Sequence, residues 1–293
     1  MNRIEKTKLI ATLLPVCVAI LACLVLFVPG FGESDEVPLS PEKISNEQKS
    51  PSDISVDAPV DDPSGLNAAQ GALSSEVKPG LVPASAAVDK SYFDDTAFVG
   101  DSVSVMLAYY QASTQALGGA QFFAAGSLSA ANALWDVSSR SVHPSYNGTK
   151  MLVEDCIMYS GAKKVYIMLG MNDIGIYSLD PSIEHYKELV ARIKAKSPDV
   201  IIFIQSMTPM ASTSTRADET LNNTKIREYN EKLRAMCEEM GWYYLDVASV
   251  MYDESGYLRQ DYCSDATSMG MHFTNQGCEQ WVQYLLTHTV KFN

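Results

Sequence analysis

Basic residues are scarce in this sequence. The chain has 22 lysines and arginines against 35 aspartates and glutamates, which gives a formal net charge of −13. It also lacks any basic segment interleaved with aromatic residues. An acidic surface repels polyanions, so the composition argues against nucleic acid or a phosphate-rich polymer as the primary ligand.

Cysteine and histidine are also few, with six and four residues, and none of them forms a Cys-x-x-Cys or His-x-x-x-His pair. Structural zinc sites use such closely spaced ligands, so the pattern argues against a metal centre. Cys263 and Cys278 flank His272. A disulfide between them would close a loop of about 15 residues, but two buried free thiols fit the pattern at least as well. We expect neither a metal nor an organic cofactor.

The N-terminal part contains one long uncharged and mostly apolar run, Leu9 to Val28. Twenty residues at the helical rise span roughly 30 Å, the thickness of a bilayer core. Basic residues precede the run and acidic residues follow it, which predicts a cytoplasmic tail over 1–8, a single transmembrane helix over 9–29 and an exported remainder. A cleaved signal peptide is the alternative, although no clear Ala-x-Ala site follows.

The composition changes twice after this run. Residues 30–88 are acidic, rich in Pro, Ser and Ala, and almost free of aromatic residues, which predicts a disordered linker. Residues 89–293 alternate short apolar runs with segments of helical periodicity, and they contain no internal repeat. We therefore expect one catalytic domain over 89–293.

The order of elements in this domain predicts an α/β fold. Apolar runs typical of central parallel strands lie at 96–99, 121–124, 164–169, 200–204 and 242–245. Helical spacing of apolar residues lies between them at 183–193 and 226–236. Strands that alternate with helices predict a three-layer α/β/α sandwich with a parallel five-stranded sheet.

A serine follows the first strand in Gly100-Asp101-Ser102. Ser102 opens a predicted helix, where free backbone N–H groups and the helix dipole favour negative charge, so attack by the hydroxyl and the resulting oxyanion are both helped. Gly100 would permit a tight turn. Asp-Ser after a strand is also the pattern of an ordinary helix cap.

Two further motifs follow neighbouring strands. Gly170-Met171-Asn172-Asp173 offers the Asn172 amide as a donor at the same sheet edge, although its residue types also suit a simple turn. Gly126 could bring a backbone N–H close to the same point. His272, just ahead of a predicted C-terminal helix, supplies an imidazole suited to general-base chemistry near neutral pH.

Together these blocks resemble the SGNH/GDSL hydrolase superfamily over nearly all of residues 92–290. The resemblance implies a flavodoxin-like fold, a serine nucleophile and a histidine base. It assigns these roles to Ser102 and His272, and it assigns an oxyanion hole to Ser102, Gly126 and Asn172. Gly100, Asp101, Gly170 and Asp173 would support the site.

One departure concerns the catalytic acid. The family usually has Asp three residues before the His, but Met269 holds that position here and Asp265 is the nearest acid upstream. If four inserted residues loop out, Asp265 can still orient His272. Otherwise the site is a Ser-His dyad. Asp261 is a poorer candidate.

The predicted function is hydrolysis of small acyl esters through an acyl-Ser102 intermediate. An exported, tethered esterase of this type resembles enzymes that remove O-acetyl groups from carbohydrates, including cell-surface glycans. A lysophospholipase or short-chain lipase, an O-acetyltransferase, and an inactive glycan-binding surface protein are the alternatives. The oligomeric state is left open.

Overall fold

The computed structural model describes residues 77–292. The predicted cytoplasmic tail (1–8), the predicted transmembrane helix (9–29) and most of the predicted linker (30–88) lie outside the described residues. Within 77–292, no helix combines the length and apolar character that crossing a membrane requires.

A six-stranded parallel sheet forms the centre of the described fold. Its strands are β1 (Gly80–Leu81), β2 (Thr96–Gly100), β3 (Gln121–Ala124), β6 (Lys164–Met168), β7 (Ile201–Gln205) and β8 (Tyr243–Leu245). They are arranged in the order β1-β8-β7-β6-β2-β3, and every pair is parallel. A separate antiparallel hairpin consists of β4 (Ser145–Tyr146) and β5 (Thr149–Lys150).

The prediction of an α/β fold with a parallel sheet is confirmed, but the predicted number of strands is wrong. The sixth strand is β1, which pairs Gly80 with Tyr243 at the sheet edge. It comes from within the predicted linker, so the ordered fold begins before residue 89. Two residues after a proline are too short to show an apolar run, which explains why the pattern does not predict this strand.

Seven α-helices lie within 77–292: α1 (Ser102–Thr114), α2 (Ala130–Ala133), α3 (Val153–Ser160), α4 (Ile174–Tyr177), α5 (Leu179–Lys196), α6 (Asn223–Met240) and α7 (Asn275–Thr287). Helix α1 contacts α7, whereas α5 contacts both α3 and α6. Right-handed crossovers place α1 on one face of the sheet and α3, α5 and α6 on the other. These contacts give the three-layer arrangement.

An aromatic row crosses the middle of the sheet. Phe98, Tyr166, Phe203 and Tyr243 occupy paired positions on four adjacent strands. Their neighbouring ring centroids lie 5.1, 4.4 and 5.1 Å apart. All four side chains are buried, so the row fixes the register of the central strands by packing.

This register aligns the carboxyl ends of three strands. Gly100 at the end of β2 lies opposite Ala124 on β3 and Met168 on β6. The chain leaves β2 toward β3 on one side and later returns to β6 on the other. The crevice beside β2 is therefore a topological switch point, the usual ligand position in open α/β sheets.

Candidate active site

Ser102 is the first residue of α1 and is separated from the end of β2 by Asp101 alone. Asp101 caps this helix, because its carboxylate accepts a hydrogen bond from the Val103 N–H at 2.9 Å. The N–H of Ser102 lies in the first helical turn, where no intrahelical acceptor exists. The Ser102 hydroxyl is 2.9 Å from Nε2 of His272. The strand-to-helix junction thus presents both an alcohol and a free donor at the sheet edge.

His272 and Asp265 form a close pair. Nδ1 of His272 lies 2.6 Å from Oδ2 of Asp265, and the two side chains are 22% and 19% exposed. A carboxylate at Nδ1 selects the tautomer in which Nδ1 carries the proton and Nε2 is free to accept one from Ser102. The structure brings Ser102, His272 and Asp265 into one hydrogen-bonded chain, whereas Asp261 pairs with Arg259 at the surface.

The Asp265 carboxylate also gathers other donors. Its Oδ1 accepts hydrogen bonds from the backbone N–H groups of Met271 and His272, both at 3.1 Å, and the Cys263 thiol lies 3.4 Å away. Burial alone raises the pKa of Asp265, but its hydrogen bonds and charge interaction with His272 outweigh that effect and hold the pKa below its ordinary value. No pattern in the sequence indicated that Cys263 would contact Asp265.

Asn172 lies just after β6, beside the start of α1. Its Nδ2 donates to the Leu128 carbonyl at 3.1 Å and lies 3.4 Å from Oδ2 of Asp101. An amide nitrogen has two hydrogens, so both are directed at acceptors here. Donation to a substrate oxyanion therefore requires release of one contact, and the longer one, to Asp101, is the weaker.

Asp101 is fully enclosed beneath the site, with 2% of its surface exposed. Burial raises its pKa to about 6, although the hydrogen bond from Val103 and the charge of His272 act in the opposite direction. Its role is therefore wider than a helix cap, because it contacts both α1 and the Asn172 amide.

Asp173 connects the Asn172 motif to the neighbouring loop. Its carboxylate accepts hydrogen bonds from the Ala130 and Ala131 N–H groups, both at 3.0 Å. It is fully buried, and burial raises its pKa even though these two N–H groups favour the charged form. This contact ties the end of β6 to the segment that follows β3.

Gly126 lies in that segment, two residues beyond the end of β3, and it is exposed. A Cβ atom added there would meet no other atom within 4 Å. The preceding residue, Ala125, donates its N–H to the Gly100 carbonyl at 3.1 Å, so Gly126 lies close to the β2–α1 junction that carries Ser102.

Positions 100 and 170 favour glycine for different structural reasons. A Cβ atom at Gly100 would lie 1.9 Å from the Ser104 hydroxyl and 2.9 Å from the Met168 carbonyl. Gly100 does not have a positive φ, so close packing, and not the tight turn predicted from the sequence, explains this glycine. Gly170 has a φ of 141° and packs against Met207 and Tyr229, so both its conformation and its packing favour glycine.

The four cysteines within 77–292 are buried free thiols: Cys156, Cys237, Cys263 and Cys278. The structure therefore contains no Cys263–Cys278 disulfide. No group of three His, Cys, Asp or Glu side chains in the described part of the chain is placed to hold a metal ion.

The arrangement defines a class of protein. An alcohol, an imidazole and a carboxylate are joined in sequence by hydrogen bonds of 2.9 and 2.6 Å at the carboxyl edge of a parallel sheet. An imidazole that can take the proton of the alcohol activates it for attack on a carbonyl carbon. The fold and the site are those of an α/β serine hydrolase.

Comparison with known proteins identifies the family. Residues 98–280 match the model of the GDSL-like lipase/acylhydrolase family, and this match covers more than half of the chain. The chain belongs to this family and is an enzyme that hydrolyses ester bonds, as the sequence motifs predicted. A comparison with curated proteins found no significant match.

Solved structures show the same fold. A candidate acylhydrolase from Bacteroides fragilis is 16% identical, with a TM-score of 0.51, over 65% of this chain and 83% of that chain. A GDSL-like lipase from Bacteroides thetaiotaomicron is 14% identical, with a TM-score of 0.50, over 65% of this chain and 84% of that chain. At these identities, the similarity establishes the fold.

Proposed function

We propose that this protein is an extracytoplasmic serine esterase that removes small acyl groups, most simply O-acetyl groups, from carbohydrate or a cell-surface glycan. The observation that carries the proposal is the hydrogen-bonded chain from Ser102 through His272 to Asp265. It supports Ser102 as nucleophile, His272 as base and Asp265 as the acid that orients the base.

The first half of the reaction forms an acyl-enzyme. Oγ of Ser102 attacks the ester carbonyl carbon while Nε2 of His272 takes the hydroxyl proton. The C–O bond of the ester then breaks, and the leaving alcohol receives that proton from His272. Asp265 stabilises the imidazolium that exists between these two transfers.

The second half returns the enzyme to its starting state. Water attacks the acyl carbon, His272 takes a proton from the water, and the bond to Ser102 breaks as Ser102 regains a proton. In both halves the carbonyl oxygen carries negative charge. We assign its stabilisation to the N–H groups of Ser102 and Gly126 and to the Asn172 amide after its contact with Asp101 is released.

The surroundings of the site support a small and polar substrate. Four methionines could have formed an apolar rim for a lipid. Met207, Met210 and Met271 are 1%, 1% and 4% exposed and belong to the core, and Met269 is partly buried against that core. The exposed loop over 212–220 near the His272 turn is rich in Ser and Thr. The same loop exposes the charged side chains of Arg216, Asp218 and Glu219, and a polar rim of this kind suits a polar substrate better than an acyl chain.

A short-chain lipase or lysophospholipase is the second candidate. Ile176 lies four residues after Asn172 and is 73% exposed, and an exposed aliphatic side chain near the site could contact a lipid chain. A transferase would use the same acyl-Ser102 intermediate, with a sugar hydroxyl replacing water as the acceptor.

We also propose that residues 9–29 anchor the protein in the cell membrane with residues 30–293 outside. The support is the length of the apolar run and the charge difference across it. Protease digestion of intact cells that carry a C-terminal tag tests the orientation. Loss of the tag is expected, and a tag that is protected until the cells are lysed would overturn the proposal.

The substrate proposal is tested with the full-length protein in detergent. We expect hydrolysis of p-nitrophenyl acetate and of O-acetylated sugars to exceed hydrolysis of long-chain esters and lysophospholipids. Ser102→Ala should lose nearly all turnover, and a fluorophosphonate probe should label the wild type but not this variant.

Ser113→Ala is the matched control, since Ser113 lies on the same helix and its exposed hydroxyl bonds to the Tyr110 carbonyl. Full activity in Ser102→Ala would refute the nucleophile assignment. Preference for lysophospholipid would select the lipase candidate, and acetyl transfer to an added sugar without release of acetate would select the transferase.

A further inference from the structure

A turn over residues 266–269, followed by Gly270 and Met271, separates Asp265 from His272, and four N–H groups between Ser268 and His272 converge on Asp265. The Asp265 carbonyl accepts hydrogen bonds from the N–H groups of Ser268 and Gly270 at 2.9 and 3.0 Å. The Asp265 carboxylate accepts those of Met271 and His272. The residues inserted between Asp265 and His272 therefore fold around Asp265 and bond both its carbonyl and its carboxylate.

The carbonyl groups of the same turn face outward, toward residues 211–215. Thr213 Oγ1 donates to the Ala266 carbonyl at 2.7 Å, and Ser214 Oγ donates to the Met269 carbonyl at 2.7 Å. Thr215 donates to the Ser268 carbonyl through its N–H at 3.0 Å and its hydroxyl at 3.2 Å. Every donor in this set belongs to residues 213–215, and every acceptor belongs to the turn.

The direction of the N–H groups determines the direction of the carbonyl groups of the turn. With the N–H groups directed at Asp265, the carbonyl groups must point away from its carboxylate and need donors on the outer side. Residues 213–215 carry three consecutive hydroxyl side chains and supply these donors. The consecutive Ser and Thr residues thus supply the donors that the outward carbonyl groups of the inserted turn between Asp265 and His272 need.

The segment that leads into residues 213–215 is firmly attached to α6. The Asn230 side chain bonds both the N–H and the carbonyl of Met207, each at 2.8 Å. The Asn223 side chain bonds both groups of Met210, at 2.7 and 2.8 Å. Two asparagines on one helix therefore fix the start of the loop, so its donors have a defined position.

Gly270 completes the fit between the loop and the turn. It has a φ of 67°, and a Cβ atom there would lie 2.5 Å from Cβ of Ser214. Its carbonyl also accepts a hydrogen bond from the Ala211 N–H at 2.8 Å. Ser214 therefore packs directly against the backbone just before His272.

We propose that Ser214, together with Thr213 and Thr215, acts as a set of positioning residues for the Asp265–His272 pair. Their hydroxyls hold the 266–269 turn in the shape that brings Asp265 to both the ring and the backbone of His272. They touch no reacting atom and act through the turn. The catalytic part of this inference rests on the proposed function of Ser102, His272 and Asp265.

Three variants of the full-length protein test the proposal. Ser214→Ala removes one hydroxyl, and Thr213→Val with Thr215→Val removes the other two while keeping side-chain shape. Thr213→Ser with Thr215→Ser keeps both hydroxyls and is the conservative rescue. Thr114→Val is the matched control, because its exposed hydroxyl also bonds a backbone carbonyl, that of Tyr110, at the far end of α1.

The first readout is kinetic. The loss of these hydrogen bonds, which are partly buried at Ser214 and exposed at Thr213 and Thr215, should lower kcat for p-nitrophenyl acetate about tenfold in Ser214→Ala and in the double Val variant. KM should change less than about twofold, because an acetyl ester does not need the turn for binding. The double Ser variant and Thr114→Val should keep the wild-type kcat.

The second readout is the proton NMR signal of the His272 Nδ1–H, which is shifted far downfield by a short bond to a carboxylate. It should weaken or move upfield in Ser214→Ala and in the double Val variant, and it should persist in the double Ser variant. Unchanged kcat and an unchanged signal in both hydroxyl-deleted variants would overturn the proposal. Equal losses in the double Ser variant would also overturn it, because the hydroxyls would then not be responsible.

The NMR signal separates this inference from the proposed function. It can be recorded in a Ser102→Ala background, where turnover is not needed. If Ser102→Ala remained active while the signal still depended on Ser214, the esterase mechanism would fail and the positioning of His272 would stand. If either hydroxyl-deleted variant fails to fold, the other one still provides both readouts.

Discussion

Asp265 holds His272 at two points: its Oδ2 lies 2.6 Å from the ring Nδ1, and its Oδ1 lies 3.1 Å from the backbone nitrogen. One carboxylate therefore fixes both the orientation of the ring and the position of the chain that carries it. A longer Asp–His spacing than the usual one does not loosen the pair, because the acid is bonded to the segment that carries the base.

Asp265→Asn should separate the two functions of this carboxylate. The amide oxygen can still accept from the backbone, but an NH₂ group opposite Nδ1 favours the wrong tautomer of His272. We expect kcat to fall by about 10³ to 10⁴ with the fold retained. The measurement is steady-state kinetics on p-nitrophenyl acetate with a thermal unfolding curve for each variant.

Asp261→Asn is the matched control, since Asp261 is exposed and bonds Arg259 and Gln276. A near wild-type kcat in Asp265→Asn would indicate that the enzyme works as a Ser-His dyad.

Asn172→Ala should lower kcat by about 10² to 10³, because it removes a donor to the developing oxyanion. KM should change little if the amide acts mainly in the transition state. The side chain also bonds the Leu128 carbonyl, so thermal unfolding is measured in parallel. A loss of stability without a loss of kcat would assign Asn172 a structural role alone.

Asp101→Asn tests the buried carboxyl beneath the site. The pKa of Asp101 is raised from its ordinary 3.8 to about 6. The folded state therefore binds more protons than the unfolded state between these values, and stability falls as pH rises through this window. The variant has no carboxyl here and lacks this loss. Between pH 5 and pH 7 the free energy of unfolding of the wild type should therefore fall by about 1 kcal/mol more than that of the variant.

Urea titrations of both proteins at the two pH values measure this difference. Parallel stability curves for wild type and variant across the window would contradict the raised pKa of Asp101. Each protein is compared with itself, so any constant effect of the substitution on α1 capping cancels.

Gly100→Ala should destabilise the fold by about 1 to 3 kcal/mol, because the added Cβ atom would overlap Ser104 and approach the Met168 carbonyl. Gly126→Ala is the matched control for stability, since a Cβ atom there meets nothing within 4 Å. Urea denaturation compares the two. Equal stability of both variants would show that the contact between β2 and α1 can relax.

Much of the fold follows from local pattern. Apolar runs located β2, β3, β6, β7 and β8 to within a residue or so, because strands buried on both faces are continuously apolar. The strand β1 could not be predicted in this way, since two residues carry no periodicity and its pairing with β8 depends on a long-range contact. Helix α3 likewise received no prediction from the pattern.

The candidate site likewise consists of residues that the local pattern predicts and of contacts that it does not predict. Gly-Asp-Ser, Asn172 and His272 were visible because they follow strands whose ends meet at one sheet edge. The contacts that surround them were not visible. The Leu128 carbonyl bonds Asn172, which lies 44 positions away in sequence. The Cys263 thiol contacts Asp265, two positions away. Neither pairing has a sequence signature.

The sequence by itself determined which chemical groups are present, which strands are buried, and in what order the chain delivers an alcohol, an amide and an imidazole. Only the tertiary structure brought the Asp265 carboxylate to 2.6 Å from Nδ1 of His272, because that distance depends on how the intervening residues fold. Spacing along a chain limits how far apart two side chains can be. Their actual separation is set by hydrogen bonds to a loop that lies about fifty residues away in sequence.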